Sequence, residues 1–389
     1  MIRNIRLLYV HNFLTDFCPQ WPFLSIYFAA ITGSYTAAMS VLALETLSAA
    51  AFDIPTGIFS DRLGRPVTMA IGSLCAALGL VCYAAATDIS ILYIGAILCG
   101  LSQCLFSGNN NALLYESLKS EGLENQFHHY RGGTGSMYQL ALSLSAFLAI
   151  GLSHFGLQTI FVCAIIPQVL GVGISLMFVE PRLHDPSRRK SFTIVVSALR
   201  NVLKNPHLRG LVLAKALNYG SGEATFKFQN VFFNTLWPLW ALGLLRGLGH
   251  TVSFFGFRIA GRLIERFGEA RLFIARDVYW FVAGGLAIFM NNAVTPAIFI
   301  TKSIFFGPGE VASDHLMQKE FSDDERATMG SISSFITSII FAVTSLCIGA
   351  VSDAFGLRTG LATGIVICFL ALPVNLLVFQ KSLFKTEAK

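Results

Sequence analysis

About twelve separate runs of mostly apolar residues constrain this chain more than any other feature, each close to the roughly 20 residues that a helix rising about 1.5 Å per residue needs to cross about 30 Å of hydrocarbon. They fall near 7–30, 37–59, 67–86, 91–117, 133–152, 159–178, 208–232, 238–260, 272–290, 297–317, 329–352 and 361–380. With 54% hydrophobic and 13% charged residues among 389, the chain carries more apolar side chain than one soluble core can bury, so lipid is its main solvent. In hydrocarbon every backbone N–H and C=O must be satisfied internally, which makes the runs helices and the chain an all-α membrane protein. The eight cysteines all lie in apolar runs without metal-ligand spacing and read as small packing residues. The first run follows Arg3 and Arg6 but lacks a small-residue cleavage site, so it reads as a span and not as a signal peptide.

Positive charge alternates from one connection to the next. Arg3, Arg6, Arg62, Arg65, Lys119, Arg131, the basic residues between Arg182 and Arg209, Arg262, Arg266, Arg271, Lys319, Arg326 and the C-terminal lysines share one side, and Arg358 alone stands on the other. By the positive-inside rule the rich side, with both termini, is cytoplasmic. The net charge of +6 then follows from topology and anionic lipid, with no need of a nucleic acid partner. The longest polar connection, punctuated by Pro181, Pro186 and Pro206, divides the chain into an N-terminal six-helix bundle at 1–182, a cytoplasmic linker at 183–206 and a C-terminal six-helix bundle at 207–389. In the linker Phe192, Val195, Val196, Leu199 and Leu203 recur at helical spacing, which predicts a short amphipathic helix on the membrane surface.

The two halves echo each other. Gly57-Ile58-Phe59-Ser60-Asp61-Arg62-Leu63-Gly64-Arg65 follows the second run, and Gly261-Arg262-Leu263-Ile264-Glu265-Arg266-Phe267-Gly268-Glu269 follows the eighth with the same spacing of glycine, acid, arginine and glycine. A second echo sets 110–116 against 314–320. Such repeats are the trace of transporter bundles that rock about a central site. The first copy, preceded by Asp53-Ile54-Pro55-Thr56, resembles the signature loop between the second and third helices of the major facilitator superfamily, roughly G-x-x-x-D-R-x-G-R. The resemblance extends over the whole chain. It implies twelve transmembrane helices in two six-helix bundles related by a pseudo-two-fold, and secondary active transport by alternating access. It also implies that the first, fourth, seventh and tenth helices line the cavity, and that Asp61 faces the start of the eleventh helix when the cavity opens outward. Arg62 and Arg65 would meet nearby acids, with Glu116 a candidate. Gly57 allows close helix contact and Gly64 a tight turn, so Gly57, Asp61, Arg62, Gly64, Arg65 and Glu116 form the expected conformational gate. The fifth run has Gly132, Gly133 and Gly135 but no Gly-Pro step of the antiporter branch, which leaves export and uptake both open.

A charge near the bilayer centre costs at least about 2.5 to 3.5 kcal/mol, so each needs a partner or a watery cavity. Asp16 and Gln20 share a face of the first run, Glu45 lies in the second, and Gln103, Asn110 and Asn111 cluster in the fourth. Lys215, Tyr219 and Glu223 align on the seventh, Arg246, His250 and Ser253 on the eighth, and Lys302 and Glu310 lie in the tenth. Of these, Asp16, Gln20, Glu45, Asn110, Asn111, Lys215, Glu223, Arg246, Lys302 and Glu310 are the expected substrate and proton-coupling residues. Lys215 with Glu223 and Lys302 with Glu310 also fit plain ion pairs. Pro308 between Gly307 and Gly309 predicts a break in the tenth span.

A carboxyl in the acidic first half that takes a proton, and a cation of the basic second half that then holds an anion, make a workable coupling chemistry. No Walker loop, H-E-x-x-H helix or G-x-S-x-G elbow occurs, which argues against an ATP-driven pump and against an enzyme and calls for no cofactor or metal. The leading reading is proton-coupled efflux of amphipathic compounds by a monomer in a bacterial inner membrane, with a small-molecule substrate, protons and membrane lipid as partners. Proton-driven uptake of an anionic or zwitterionic metabolite, such as a siderophore-like polycarboxylate, is the alternative. A non-transporting receptor or scaffold is the alternative of another class. Orientation is testable with a reporter cysteine at Ser187 in a cysteine-free background: it should resist an impermeant thiol reagent added outside intact cells, and labelling from outside would invert the topology.

Overall fold

The computed structural model describes residues 2–123, 126–180, 200, 204–319 and 326–384, and the expected amphipathic helix of the linker lies outside the described residues. The chain divides into two compact units, Met1–Thr32 with Leu44–Lys190, and Gly33–Ala43 with Ser191–Lys389. The first holds α1 (Ile2–Thr15), a 3-10 turn (Trp21–Phe23), α2 (Leu24–Thr32), the later turns of α3 (Tyr35–Leu63), α4 (Arg65–Ala85), α5 (Ile89–Phe106), α6 (Asn109–Lys119), α7 (Phe127–Leu152) and α8 (Leu157–Leu176). The second holds the opening turns of α3, then α9 (Pro206–Phe233), α10 (Leu239–Phe267), α11 (Glu269–Met290), α12 (Thr295–Thr301), α13 (Ser303–Lys319), α14 (Arg326–Phe355), α15 (Leu357–Phe369) and α16 (Ala371–Phe384).

Eight helical stretches among the described residues are long and apolar enough to cross a membrane. The other four expected spans fall on α1 with α2, on α9, on α10 and on α12 with α13. Two of these, α1 with α2 and α12 with α13, are split into helices of 14, 9, 7 and 17 residues, while α9 carries Lys215 and Glu223 and α10 carries Arg246. Each unit has its own core. Ile5, Leu8, Met69, Leu113, Leu114, Leu118 and Phe178 pack together in the first, and Leu208, Leu211, Val212, Ala270, Phe273 and Ile332 in the second. Cys75 and Cys104 pack with Leu105, as small apolar residues do.

Four of the expected spans are interrupted among the described residues, the twelfth at Leu370 between α15 and α16. The first, expected to be continuous, stops at Thr15 and resumes in the 3-10 turn, because Pro19 and Pro22 cannot donate to the preceding turn. The carbonyl this exposes at Thr15 is taken up by Gln168 Nε2 on α8 at 3.0 Å. The fourth breaks at Gly108, whose φ is +78°. The tenth breaks at Lys302 and not at Pro308, which lies inside α13. The reason is packing: a Cβ at Gly307 would lie 2.5 Å from Phe257 N, and one at Gly256 would lie 3.2 Å from Ile304 O, the carbonyl that Pro308 cannot serve. Two glycines thus let α10 close on α13 over the proline and hold that turn in line.

The sequence echo has a backbone counterpart. Gly64 and Gly268, which close the two copies of the motif, have φ/ψ of 83°/157° and 80°/152°. Gly156 and Gly356 repeat that conformation at 97°/155° and 88°/162° between α7 and α8 and between α14 and α15. Only glycine occupies this region without strain, so the tight connections of both halves are built from one local solution.

The N-terminus of α3 is held by a side chain from a distant helix. Asp353, on α14, accepts from the Tyr35 and Thr36 amides at 2.8 and 2.9 Å and from the Ser34 and Thr36 hydroxyls at 2.7 and 2.6 Å. Gly349 permits the approach, since a Cβ there would stand 2.6 Å from Thr36 Cα. A carboxylate at a helix N-terminus satisfies orphan donors and complements the macrodipole. Asp353→Ala should therefore destabilise the purified protein by about 1 kcal/mol, and Asp353→Asn by less. Thermal unfolding in detergent measures this, and an unchanged midpoint in Asp353→Ala would remove the cap from the account.

Candidate functional site

Glu45 of α3 lies deep in the helix packing of the first unit. Glu45 is 7% exposed. Its Oε2 accepts from the Tyr83 hydroxyl of α4 at 2.8 Å and its Oε1 from the Gln103 amide of α5 at 2.7 Å. Gly100 brings α5 against α3 at this level, because any Cβ there would collide with the Glu45 carbonyl. Tyr83 is in turn enclosed by rings, with Phe28 at 4.8 Å and Phe161 at 6.3 Å, and the Tyr27 hydroxyl donates to its carbonyl at 2.9 Å. Among the described residues no cationic side chain pairs with Glu45. The carboxyl is bound by two neutral groups, and a hydroxyl such as that of Tyr83 can serve as donor or acceptor.

The motif loop is built as a separate polar cluster. Arg65 meets Glu116 through two parallel bonds, Nε to Oε2 at 2.8 Å and Nη2 to Oε1 at 2.5 Å, the fork geometry that favours arginine over lysine. Its Nη1 also reaches Asn109 Oδ1 at 3.3 Å, and Ser60 Oγ donates to the same oxygen at 2.5 Å. The Arg65 amide donates to Glu180 at 2.8 Å, and a Cβ at Gly64 would stand 2.7 Å from that carboxylate. The expected Arg65–Glu116 pair is therefore present, with Asn109 and Glu180 as members that sequence reasoning passed over. The side chains of Gly57, Asp61 and Arg62 lie outside the described residues.

Two cationic groups organise the second unit. Arg246 Nη2 donates to Phe226 O and to Asn230 Oδ1, both at 2.7 Å, its guanidinium stacks 3.6 Å over the Phe226 ring, and Gln229 is placed to accept from both terminal nitrogens at 2.9 Å. These partners are neutral, and among the described residues Arg246 makes no ion pair. Arg276 is the opposite case. It is 1% exposed and bonds Asp277 Oδ1 from Nε and Nη2 at 3.2 and 3.1 Å and Glu310 Oε1 from Nη1 at 3.2 Å. Asn218 and Asn375 donate to the two Asp277 oxygens at 2.6 Å each. Gly309 leaves the space that the Arg276 side chain crosses.

The plain Lys302–Glu310 ion pair, one of the two readings of these residues, is not formed among the described residues. Glu310 is taken by Arg276, while Lys302 Nζ sits 5.1 Å from both the Trp280 and Phe299 rings. Lys302, Asn218, Asp277, Thr225 and Cys368 border a cavity of about 20 Å³, room for a water molecule. Sequence reasoning missed Arg276 and Asp277 although both interrupt the ninth apolar run. It missed Tyr83 because a tyrosine near a span end reads as an interfacial residue.

The remaining expected residues are more scattered. Asp16 ends α1 at the first break, with its amide bonded to Asn12 O at 3.0 Å. Gln20 is buried, and its Oε1 is unpartnered among the described residues, as is Asn110 Oδ1. Asn111 is exposed, and Lys215 and Glu223 are half-buried two turns apart on α9, too far to form the plain ion pair that was one reading. No group of three or more His, Cys, Asp or Glu among the described residues is arranged to hold a metal ion.

Comparison with known proteins converges on one fold. The nucleoside transporter NupG, as its D323A mutant, superimposes with a TM-score of 0.81 at 14% identity, covering 97% of this chain and 99% of that one. A bacterial homologue of the human lysosomal transporter Spinster gives 0.77 at 15% identity over 98% and 97%, and a D-xylose-proton symporter gives 0.74 at 12% identity over 97% of each chain. No curated protein sequence matches. The family model described as Major Facilitator Superfamily matches residues 7–340, and with the helices, the repeated glycine turns and the Arg65–Glu116 motif loop already in view, the chain is an integral membrane protein that belongs to the major facilitator superfamily of transporters.

Proposed function

We propose that this protein is a proton-coupled secondary transporter of a small organic solute, with Glu45 as the group that takes and releases the coupling proton. The observation that carries the proposal is the buried Glu45 carboxyl held by Tyr83 and Gln103, with no cation paired to it among the described residues. An ion pair would fix its charge, whereas two neutral hydrogen-bonding partners leave the charge free to change. Arg276, with its two acids, is assigned a structural part by the same reasoning. The solute is an amphipathic compound moved outward, a reading supported by the 34 phenylalanines and by analogy with transporters of this family. Inward transport of an anionic or zwitterionic metabolite is the second reading, favoured by Arg246, whose guanidinium has only neutral acceptors and an aromatic face. The working location is the bacterial inner membrane with both termini in the cytoplasm, and the Arg65–Glu116 pair belongs to the gate.

Proteoliposomes loaded with a pH-sensitive dye test the coupling, using a solute selected by thermal shift from metabolites, siderophores and drugs. Glu45→Gln preserves the size and hydrogen bonding of the side chain. It should abolish transport driven by a pH gradient and leave solute exchange measurable, because only the coupled leg requires a titrating group. Full pH-driven transport in Glu45→Gln would refute the assignment. In the same assay Arg246→Lys keeps the charge and loses the planar fork: weakened solute binding supports the anionic substrate, and unchanged binding supports the amphipathic one.

A further inference from the structure

The second unit carries on its outer face an open groove of about 570 Å³ that has no place in the coupling scheme. One wall is a stripe of α11 in which Arg271, Ile274, Val278 and Val282 follow at helical spacing, and Phe305 of α13 and Leu376 of α16 form the other side. Apart from Arg271 and Tyr279 the lining is apolar, and the Tyr279 hydroxyl is spent on Thr301 Oγ1 at 2.7 Å. A polar solute would find almost nothing to bond there. Arg271 is exposed at one end of the stripe, and among the described residues it has neither an ion pair nor a hydrogen bond. From Arg271 to Val282 the helix rises about 16 Å, close to half of a hydrocarbon core about 30 Å thick. The groove therefore has a cation at one end and an apolar trough one leaflet deep.

We propose that this groove binds one acyl chain of an anionic phospholipid, with the lipid phosphate on the Arg271 guanidinium. A phosphate matches the planar fork and supplies the counter-charge that Arg271 lacks among the described residues. Assignment to the cytoplasmic leaflet rests on the orientation read from the charge bias, whereas the binding itself does not depend on it.

Native mass spectrometry of the full chain in detergent tests this with phosphatidylglycerol and phosphatidylcholine of matched acyl chains. The wild-type protein should retain phosphatidylglycerol in preference to phosphatidylcholine. Arg271→Gln should lower that preference about fivefold, the size of one basic contact with an anionic lipid, and Arg271→Lys should keep most of it. Val278→Trp, which fills the trough, should reduce retention of both lipids while the thermal midpoint stays unchanged. Equal retention of the two lipids by the wild type, an unchanged preference in Arg271→Gln, or protection of the groove by a second copy of the chain would each overturn the proposal. Because the assay involves no solute and no proton gradient, its failure leaves the coupling scheme untouched, and the converse also holds.

Discussion

A charge carried into hydrocarbon has to be neutralised, solvated or protonated, and the two halves of this protein meet that constraint in different ways. The Arg276 guanidinium is surrounded by Asp277 and Glu310, and the acids are themselves bonded by Asn218 and Asn375. Removing Arg276 would leave two acids without their cation, which costs far more than the assembled cluster contributes. Among the described residues Glu45 has no such counter-ion and is bonded by a phenol and an amide. The carboxyls of one cluster share a cation and, among the described residues, Glu45 has none, and the functional assignment follows from that contrast.

The helix interruptions follow the same economy of satisfied groups. Where α1 ends early, Gln168 reaches across from α8 to the stranded Thr15 carbonyl. Where α13 contains a proline, Gly256 and Gly307 let α10 approach the unserved Ile304 carbonyl. Asp353 does the equivalent service for the amides that begin α3. Within the hydrocarbon the Thr15 carbonyl has no water to fall back on, so a side chain distant in sequence becomes part of the local backbone.

How much of this was legible in the sequence depends on the range of the interaction. The apolar runs, the all-helical fold and the repeated motif are local or periodic signals, and the glycines at 64 and 268 adopt the matched conformation that their spacing implied. Arg65 with Glu116 was legible because the motif names the partner's neighbourhood. Side-chain partners across helices were not. Glu310 was read with Lys302 because both lie on one span, and the guanidinium that takes it comes from a helix whose charges had been overlooked. Pro308 was read as a break because its chemistry is local, and the glycines that prevent the break include one on another helix. Tyr83 carries no sequence mark that separates a ligand of a buried carboxyl from an interfacial ring.

The central claim is that Glu45 changes its protonation state, and infrared difference spectroscopy reads that directly. Membranes containing the purified protein, taken reversibly between acid and alkaline buffer, should show a protonated-carboxyl stretching band that is absent from Glu45→Gln and shifted in Tyr83→Phe, which loses one of the two hydrogen bonds to the group. A band that persists unchanged in Glu45→Gln would place the titrating carboxyl elsewhere and contradict the account.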